Sequence, residues 1–474
     1  MLTTSKAPQH YLPILVSLAV TLLFWLGSRY YFQEGFENPY KYPAKAASLT
    51  AAILMCWSVL LSTRMRRLED YFGGLDKMYQ IHKRLGKWAF YIIVFHPLFL
   101  AADRLPDISA FLGGLSLLLP EGKRYIWGHN VGVLTFVVMA VLAGLTLWIR
   151  LPYDLWKRTH EWFGAVMLLV VVHVVVVDKD LASYPLLGAW MYGWLLAAMA
   201  SYIYIRFAYK KWGPRFDYRV TSIERSADTI KLSLDPEGER GMDFKPSQFV
   251  YLVVNREGIS PEPHPYSIAN GYNRPARLML GIKKVGDHTR SLESLETGDS
   301  ATLYGPYGHF SDKFLTAERN CVFIGGGIGI TPFMGMWHVA LHSEERLPED
   351  KVPEKLTRLH PEIIRSWKSP CVSLFYLCRE KSEACFDKDI RHEIIMSRRH
   401  KFSPFHERGH HYELYLSSEK GRLTADYVAE KAGAIGDKYI FLCGPSSMMD
   451  SLTGQFIRLG VPAEQIIVED FNLL

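Results

Sequence analysis

Two hydrophobic rhythms divide this chain. Up to about residue 210, apolar side chains come in long blocks with few charges, and polar residues gather between the blocks. A helix of about 20 apolar residues, rising ~1.5 Å per residue, is what crosses the hydrocarbon core of a bilayer. Six blocks meet that length: 11–32, 44–63, 85–104, 126–149, 161–178 and 185–207. The run Ile108–Pro120 is also apolar but too short to span, and is expected at the interface. The first block, from Tyr11 to Phe32, shows no small-residue cleavage site and is followed by more of its kind, so it reads as a first spanning helix.

From about residue 213 the rhythm changes to short alternating stretches. Tyr218–Ile223, Ile230–Leu234, Phe249–Val254, Leu278–Lys284 and Ser300–Tyr304 alternate at the period of half-buried strands, and turn residues separate them. They predict a small antiparallel barrel. After Asn320 the units become strand, loop and helix: Cys321–Ile324, Val372–Leu377, Tyr412–Leu416 and Tyr439–Leu442 are apolar strands with helical stretches between them. That order predicts a parallel α/β sheet. Residues 343–369 look like a charged, proline-containing surface insertion. The expected domains are 1–212 in the membrane, a barrel over 213–316 and an α/β domain over 317–474.

Charge adds an orientation. The chain of 474 residues has formal charge +6 and a pI near 8.8, with much of the basic excess flanking apolar blocks. A membrane surface, not nucleic acid, is the partner this suggests. With the helices alternating in direction, thirteen Lys and Arg residues fall on one side (among them Arg64, Arg66, Arg67, Lys83, Arg84, Arg150 and Arg206) against six on the other. The richer side is expected to be cytoplasmic. Both termini and the whole second half then face the cytoplasm of an inner or plasma membrane. The six cysteines form no CxxC pair, and five lie in the second half, which fits reduced thiols.

Ionisable side chains within spans are costly and usually functional. His82 and His96 sit along the third block, His160 and His173 along the fifth. Each pair is separated by roughly 20 Å of helix. Both helices run outward, so His82 matches His160 in level, and His96 matches His173. Imidazole is a suitable axial ligand of haem iron, and two bis-histidine haems follow as the expectation. Gly86 and Gly164 lie four residues after His82 and His160, on the same helix faces, where the lack of a side chain suits a flat ring. Pro97, next to His96, should kink its helix. One feature resists. Fourteen residues return His96 to nearly the face of His82, whereas thirteen carry His173 well round from His160. His129, without such a partner, reads as structural.

The second half offers flavin and nucleotide chemistry. In His264-Pro265-Tyr266-Ser267-Ile268 the Tyr ring can pack on a flat ring system and the Ser hydroxyl can bond a flavin nitrogen. Gly286-Asp287-His288-Thr289 offers backbone and hydroxyl donors to a pyrophosphate, and Gly305-Pro306-Tyr307-Gly308 closes the barrel segment. Gly325-Gly326-Gly327-Ile328-Gly329-Ile330-Thr331-Pro332 follows a strand and opens a helix, the setting in which glycines let a backbone approach phosphate.

These segments together resemble the ferric reductase and NADPH oxidase superfamily over about residues 40–474. The histidine pairs are similar in spacing to its haem-binding helices, and His264–Ser267 resembles its flavin motif. Gly286–Thr289 resembles its pyrophosphate segment, Gly325–Pro332 its phosphate loop, and Cys443-Gly444-Pro445 the motif that places a Cys near the nicotinamide. Leu377-Cys378-Arg379 resembles the strand end that meets the adenosine ribose, which implies Arg379 as the 2′-phosphate partner and NADPH as donor. Glu469-Asp470-Phe471 resembles the family's aromatic cover of the flavin, although three residues follow Phe471 here. The resemblance implies a six-helix haem bundle followed by a ferredoxin-reductase-like module, holding two haem b, FAD and NADPH. Ser267, Cys443 and Phe471 are then the residues against the reacting rings.

The implied activity runs from cytoplasmic NADPH through FAD and the haems, inner (His82, His160) then outer (His96, His173), to an acceptor outside. Oxygen giving superoxide is the first choice, a ferric chelate close behind. Animal oxidases of the family carry a further histidine where this chain has Leu100, and Lys45 could stand in for their basic residue near the outer end of helix two. A membrane subunit feeding a periplasmic partner protein is a rival. A non-redox haem carrier fits poorly with the flavin and nucleotide motifs. No D-x-D-x-D-G calcium loop occurs, so neither calcium control nor an obligatory protein activator is expected.

Overall fold

The computed structural model of the chain describes residues 7–32, 38–103, 107, 109, 124–226, 228–238, 241–271, 277–316, 319–342, 370–399 and 409–470. The interfacial run 108–120, the insertion 343–369 and Phe471 lie outside these described residues, apart from residue 109. Two compact units emerge. One comprises Lys6–Leu68 and Lys77–Lys210; the other joins Glu69–Asp76 to Lys211–Leu474.

In the first unit, six helices among the described residues are long and apolar enough to cross a membrane: His10–Tyr31, Lys41–Leu60, Leu75–Ala102, Trp127–Leu147, Tyr153–Val177 and Pro185–Trp212. They correspond to the six apolar blocks, but the third and fifth begin earlier. Helical hydrogen bonding carries on through the polar residues 75–84 and 153–160, which hydropathy alone trims away. Pro97 lies inside the third helix, which continues past it to Ala102. The fifth is really two helices, Tyr153–Glu161 and Phe163–Val177, joined at Trp162. The break falls between His160 and His173, so their thirteen-residue separation is not a count along one ideal helix. Large apolar side chains such as Leu23, Leu196 and Phe207 point outward. Cys56, Met167, Leu195 and Ala198 pack inward. At one end Lys45 pairs with Asp178 (2.5 Å) and Asp180 (3.3 Å), and Arg29 with Asp180 (3.0 Å).

The second unit contains both expected sheets. β1 (Arg215–Arg225), β2 (Thr229–Pro236), β3 (Phe249–Val254), β4 (His264–Ser267), β5 (Leu278–Lys283) and β6 (Ser300–Tyr307) pair antiparallel in the order β4-β3-β6-β1-β2-β5. An Ile268–Leu280 bridge draws the two edges together, so the barrel is nearly closed. Tyr218, Leu232, Leu252, Leu280 and Leu303 fill its interior. β4 escapes the sequence reading because Pro265 and the polar ends of His264–Ser267 break the strand signature; pairing with β3 builds it.

β7 (Cys321–Gly326), β8 (Val372–Cys378), β9 (His411–Leu416), β10 (Tyr439–Cys443) and β11 (Ile466–Glu469) form a parallel sheet in the order β11-β10-β7-β8-β9. β11 was not foreseen; it is a short edge strand. Along β7 the side chains alternate, Cys321 and Phe323 into one core and Val322 and Ile324 into the other. Such burial on both faces explains the unbroken apolar runs. The strand order reverses between β7 and β10. Ligands of doubly wound sheets bind at that crevice, beyond the carboxyl ends of the strands.

Candidate functional site

The membrane unit places the four histidines in two pairs. The rings of His82 and His160 lie 6.0 Å apart, centre to centre, at 70°. His96 bonds the carbonyl of Ala44, next to Lys45, and Lys45 pairs with Asp178, five residues past His173, so these two histidines share the other level. Three of the four have their Nδ1 on a backbone carbonyl: His82 on Ser58 (2.7 Å), His96 on Ala44 (2.9 Å) and His173 on Gly128 (2.9 Å). A carbonyl only accepts, so Nδ1 carries the proton and Nε2 keeps the lone pair that can bind a metal. His160 is held differently, stacked on Trp156 at 5.0 Å and 14°. Its buried Nδ1 has no hydrogen-bond partner among the described residues.

Sequence reasoning missed the residues that anchor the rings. Ser58 and Ala44 lie on the second span and Gly128 on the fourth, neither of which carries a histidine of the set. Gly132 also escaped notice. A Cβ there would meet His173 at 2.4 Å, so the glycine is what lets that ring lie against the fourth span. The spacing of Gly128 and Gly132, one turn apart, was the available signal. A Cβ on Gly86 would meet the Ser58 hydroxyl at 3.5 Å, and one on Gly164 would strike the Tyr202 ring at 2.0 Å. Only Gly164 is required by its neighbour, since 3.5 Å at Gly86 is an ordinary contact.

In the barrel, β4 runs antiparallel to β3, with His264 opposite Leu252 and Ser267 opposite Phe249. Ser267 is buried, as is the Tyr266 hydroxyl, which has no hydrogen-bond partner among the described residues. Burial pushes the Tyr266 phenol up, so it remains a neutral donor. His264 stacks on His288 at 3.6 Å, which brings the two barrel motifs together. Burial pushes His288 down, with a smaller opposing pull from Glu262. In the turn that holds His288, the Thr289 hydroxyl accepts from the backbone N–H of Val285 (2.9 Å) and Gly286 (3.0 Å).

The parallel sheet assembles the remaining motifs at its switch point. Gly327 adopts φ +55°, a conformation that favours glycine. A Cβ on Gly329 would lie 2.5 Å from the Cys443 carbonyl, one on Gly326 2.8 Å from Met448 Sδ and 3.0 Å from Pro445, and one on Gly325 2.9 Å from Ile330. The loops after β7 and β10 therefore touch backbone to backbone, including Gly444. The helix Thr331–His342 starts directly from the glycine loop, with Pro332 in its first turn and the buried Thr331 hydroxyl donating to the Ile328 carbonyl at 2.9 Å. Cys443 is buried; burial, aided by the Glu469 and Asp470 charges, holds its thiol well above the usual range. Arg379 is exposed immediately past the end of β8, the strand next to β7.

Two known families match separate parts of the chain. The family described as ferric reductase like transmembrane component matches residues 47–171, and the oxidoreductase NAD-binding domain matches 323–453. The reductase component of propane 2-monooxygenase from Rhodococcus jostii is 27% identical over 54% of this chain and 63% of its own. A flavohemoprotein of Vibrio cholerae is 25% identical over 55% of this chain and 59% of its own. The chain thus spans about three-fifths of the curated relatives it matches. Among solved structures, the flavohem-like FAD/NAD-binding domain of nitric oxide dioxygenase from Vibrio cholerae aligns with TM-score 0.41 at 22% identity, covering 54% of this chain and 98% of that one. The membrane half has its own match, which makes this an integral membrane protein. The chain thus joins a segment similar to ferric reductase transmembrane components to one similar to oxidoreductase NAD-binding domains, a pairing consistent with the ferric reductase and NADPH oxidase superfamily that it resembles.

Proposed function

We propose that the chain carries electrons from cytoplasmic NADPH, by way of FAD and two b-type haems, to an acceptor on the opposite side of the membrane. The observation that carries this reading is the His82–His160 pair. The observed separation of the ring centres is 6.0 Å. Two imidazoles at this separation could both reach one metal ion through nitrogen bonds of ~2 Å. The carbonyl bonds to Nδ1 of His82, His96 and His173 leave Nε2 to bind iron. His82 and His160 would hold the inner haem, His96 and His173 the outer.

Tyr266 and Ser267 would bind the flavin ring, Gly286 and Thr289 its pyrophosphate, and Phe471 would cover it. Gly325–Pro332 would cradle the phosphates of NADPH, with Arg379 on the 2′-phosphate. Cys443, kept as a neutral thiol by burial, would sit beside the nicotinamide without adding charge. FAD and haem, when bound, supply the conversion of a two-electron donor into single transfers. The Lys and Arg excess supports a cytoplasmic position for this module and both termini.

Oxygen, giving superoxide, is the acceptor of first choice. A ferric chelate is the second reading. Two features favour it: Leu100 stands one turn beyond His96, and the Lys45 charge is already matched by Asp178 and Asp180. Superoxide dismutase-sensitive cytochrome c reduction, set against Fe(III)-chelate reduction under argon, separates them. A reduced-minus-oxidised spectrum after NADPH addition tests the whole path and should show b-type bands from two haems per chain. A preparation replete in cofactors but free of protohaem would refute it.

A further inference from the structure

The second half of the helix Thr331–His342 carries two histidines one turn apart. His338 and His342 occupy positions i and i+4, so both project from one face. The helix Asp387–Arg399 packs beside it and contributes Glu393. His338 Nδ1 lies 3.1 Å, and His342 Nε2 2.9 Å, from the same oxygen, Glu393 Oε2. One nitrogen from each ring and the carboxylate oxygen all fall within 4.8 Å of one another. Three ligands on a tetrahedral cation with bonds of ~2.0 Å stand ~3.3 Å apart, so two of the three separations are already close to those a cation requires.

We propose that His338, His342 and Glu393 form a binding site for a divalent transition-metal cation of the Zn²⁺ type, with a further coordination position open to the adjacent cavity. That cavity has a volume of about 430 Å³, and Asp389, His392 and Lys388 line it together with His338 and Glu393. Two imidazoles and one carboxylate are a ligand set suited to zinc and its neighbours, and a poor one for the all-oxygen coordination of Ca²⁺ or Mg²⁺. His338 is fixed from behind as well. It fills the space where a Cβ on Gly271 would stand, 2.2 Å from its ring. The Asp389 carboxylate at the cavity wall is paired with Lys231 of β2. A bound cation would therefore fasten the helix that begins at the glycine loop to its neighbouring helix, beside the barrel segment that packs on both.

The test is equilibrium dialysis of the full chain in detergent, washed with chelator and then exposed to micromolar free Zn²⁺, with bound zinc counted by elemental analysis. Wild type is compared with His338→Ala, His342→Ala and Glu393→Gln. The last keeps the size and shape of the side chain and decides the matter if either histidine variant fails to fold. The expected result is one more zinc per wild-type chain than per variant, with a Tm that rises with Zn²⁺ in wild type and not in the variants. Equal zinc content in wild type and Glu393→Gln, or no zinc bound by wild type, overturns the proposal.

Discussion

The Glu69 carboxylate accepts a hydrogen bond from the backbone N–H of Gly308 at 2.7 Å, across 239 positions of sequence. Glu69 lies between the second and third spans, is buried, and belongs with Lys211–Leu474 in one compact unit. A carboxylate is a strong acceptor, and a buried N–H that loses its partner costs about 1–3 kcal/mol. Glu69→Ala should destabilise this unit by that amount, and Glu69→Gln by less, because the amide oxygen still accepts. Thermal unfolding followed by flavin fluorescence checks the order; equal Tm values for Glu69→Ala and wild type would contradict it.

His309, next to Gly308, predicts a pH dependence. Its imidazole bonds Asp312 at 2.7 Å and pairs with Asp70 at 3.2 Å. The Asp312 hydrogen bond raises His309 above its ordinary 6.5; burial opposes this, and the charges of Asp312, Glu69 and Asp70 reinforce it. A raised folded-state value means stability fully present below 6.5 and lost as pH rises through the raised value. Asp312 works in the other direction. Burial would raise it, but His309 and Lys245 hold it below 3.8, so its share is present above 3.8 and lost as pH falls through the lowered value. Tm scanned upward from pH 6 should fall more steeply in wild type than in Asp312→Asn.

If His160 holds the inner haem as proposed, replacing it with Ala should lower haem content and reduce NADPH-driven reduction of an external acceptor at least ~100-fold, while flavin reduction continues. Ser58→Ala should do far less, because the bond from His82 runs to the Ser58 carbonyl, which remains. Outer-shell partners of a metal ligand are ordinarily worth 10–100-fold in affinity, and this variant keeps the stronger one. Haem content by pyridine haemochromogen, together with stopped-flow flavin reduction, distinguishes the two.

Gly329→Ala should weaken NADPH binding. Its Cβ would sit 2.5 Å from the Cys443 carbonyl, a backbone atom that no rotamer change can move. Overpacking of this kind costs about 1–3 kcal/mol and would spread the two loops that meet at the switch point. A raised KM for NADPH and a lower Tm are expected together. An unchanged KM would show that the loop contact does not shape the nucleotide site.

Arg379→Ala should raise KM for NADPH about 10-fold or more and leave NADH nearly unaffected, since only the former carries a phosphate for a guanidinium to grip. Initial rates with both nucleotides measure this directly. An equal loss with both would remove Arg379 from nucleotide selection.

The linear order of residues determined the six spans, the two sheet types and the loop motifs, since each rests on short-range periodicity or on turn residues close together in the chain. Phe249–Val254 and the glycine run before Thr331 emerge as strand and helix-opening loop where the pattern put them. Tertiary packing decided the rest. The Nδ1 bonds of His82, His96 and His173 reach to carbonyls on other helices, and a carbonyl leaves no mark in a sequence because every residue has one. His338 and Glu393 are 55 positions apart, and only the meeting of two helices brings the carboxylate oxygen to both His338 and His342. Glu69, in the short helix Arg66–Phe72 between two spans, becomes a buried acceptor because the chain folds Gly308 against it. Local pattern reflects energies between near neighbours. Partners far along the chain are chosen by close packing, which no window of sequence contains.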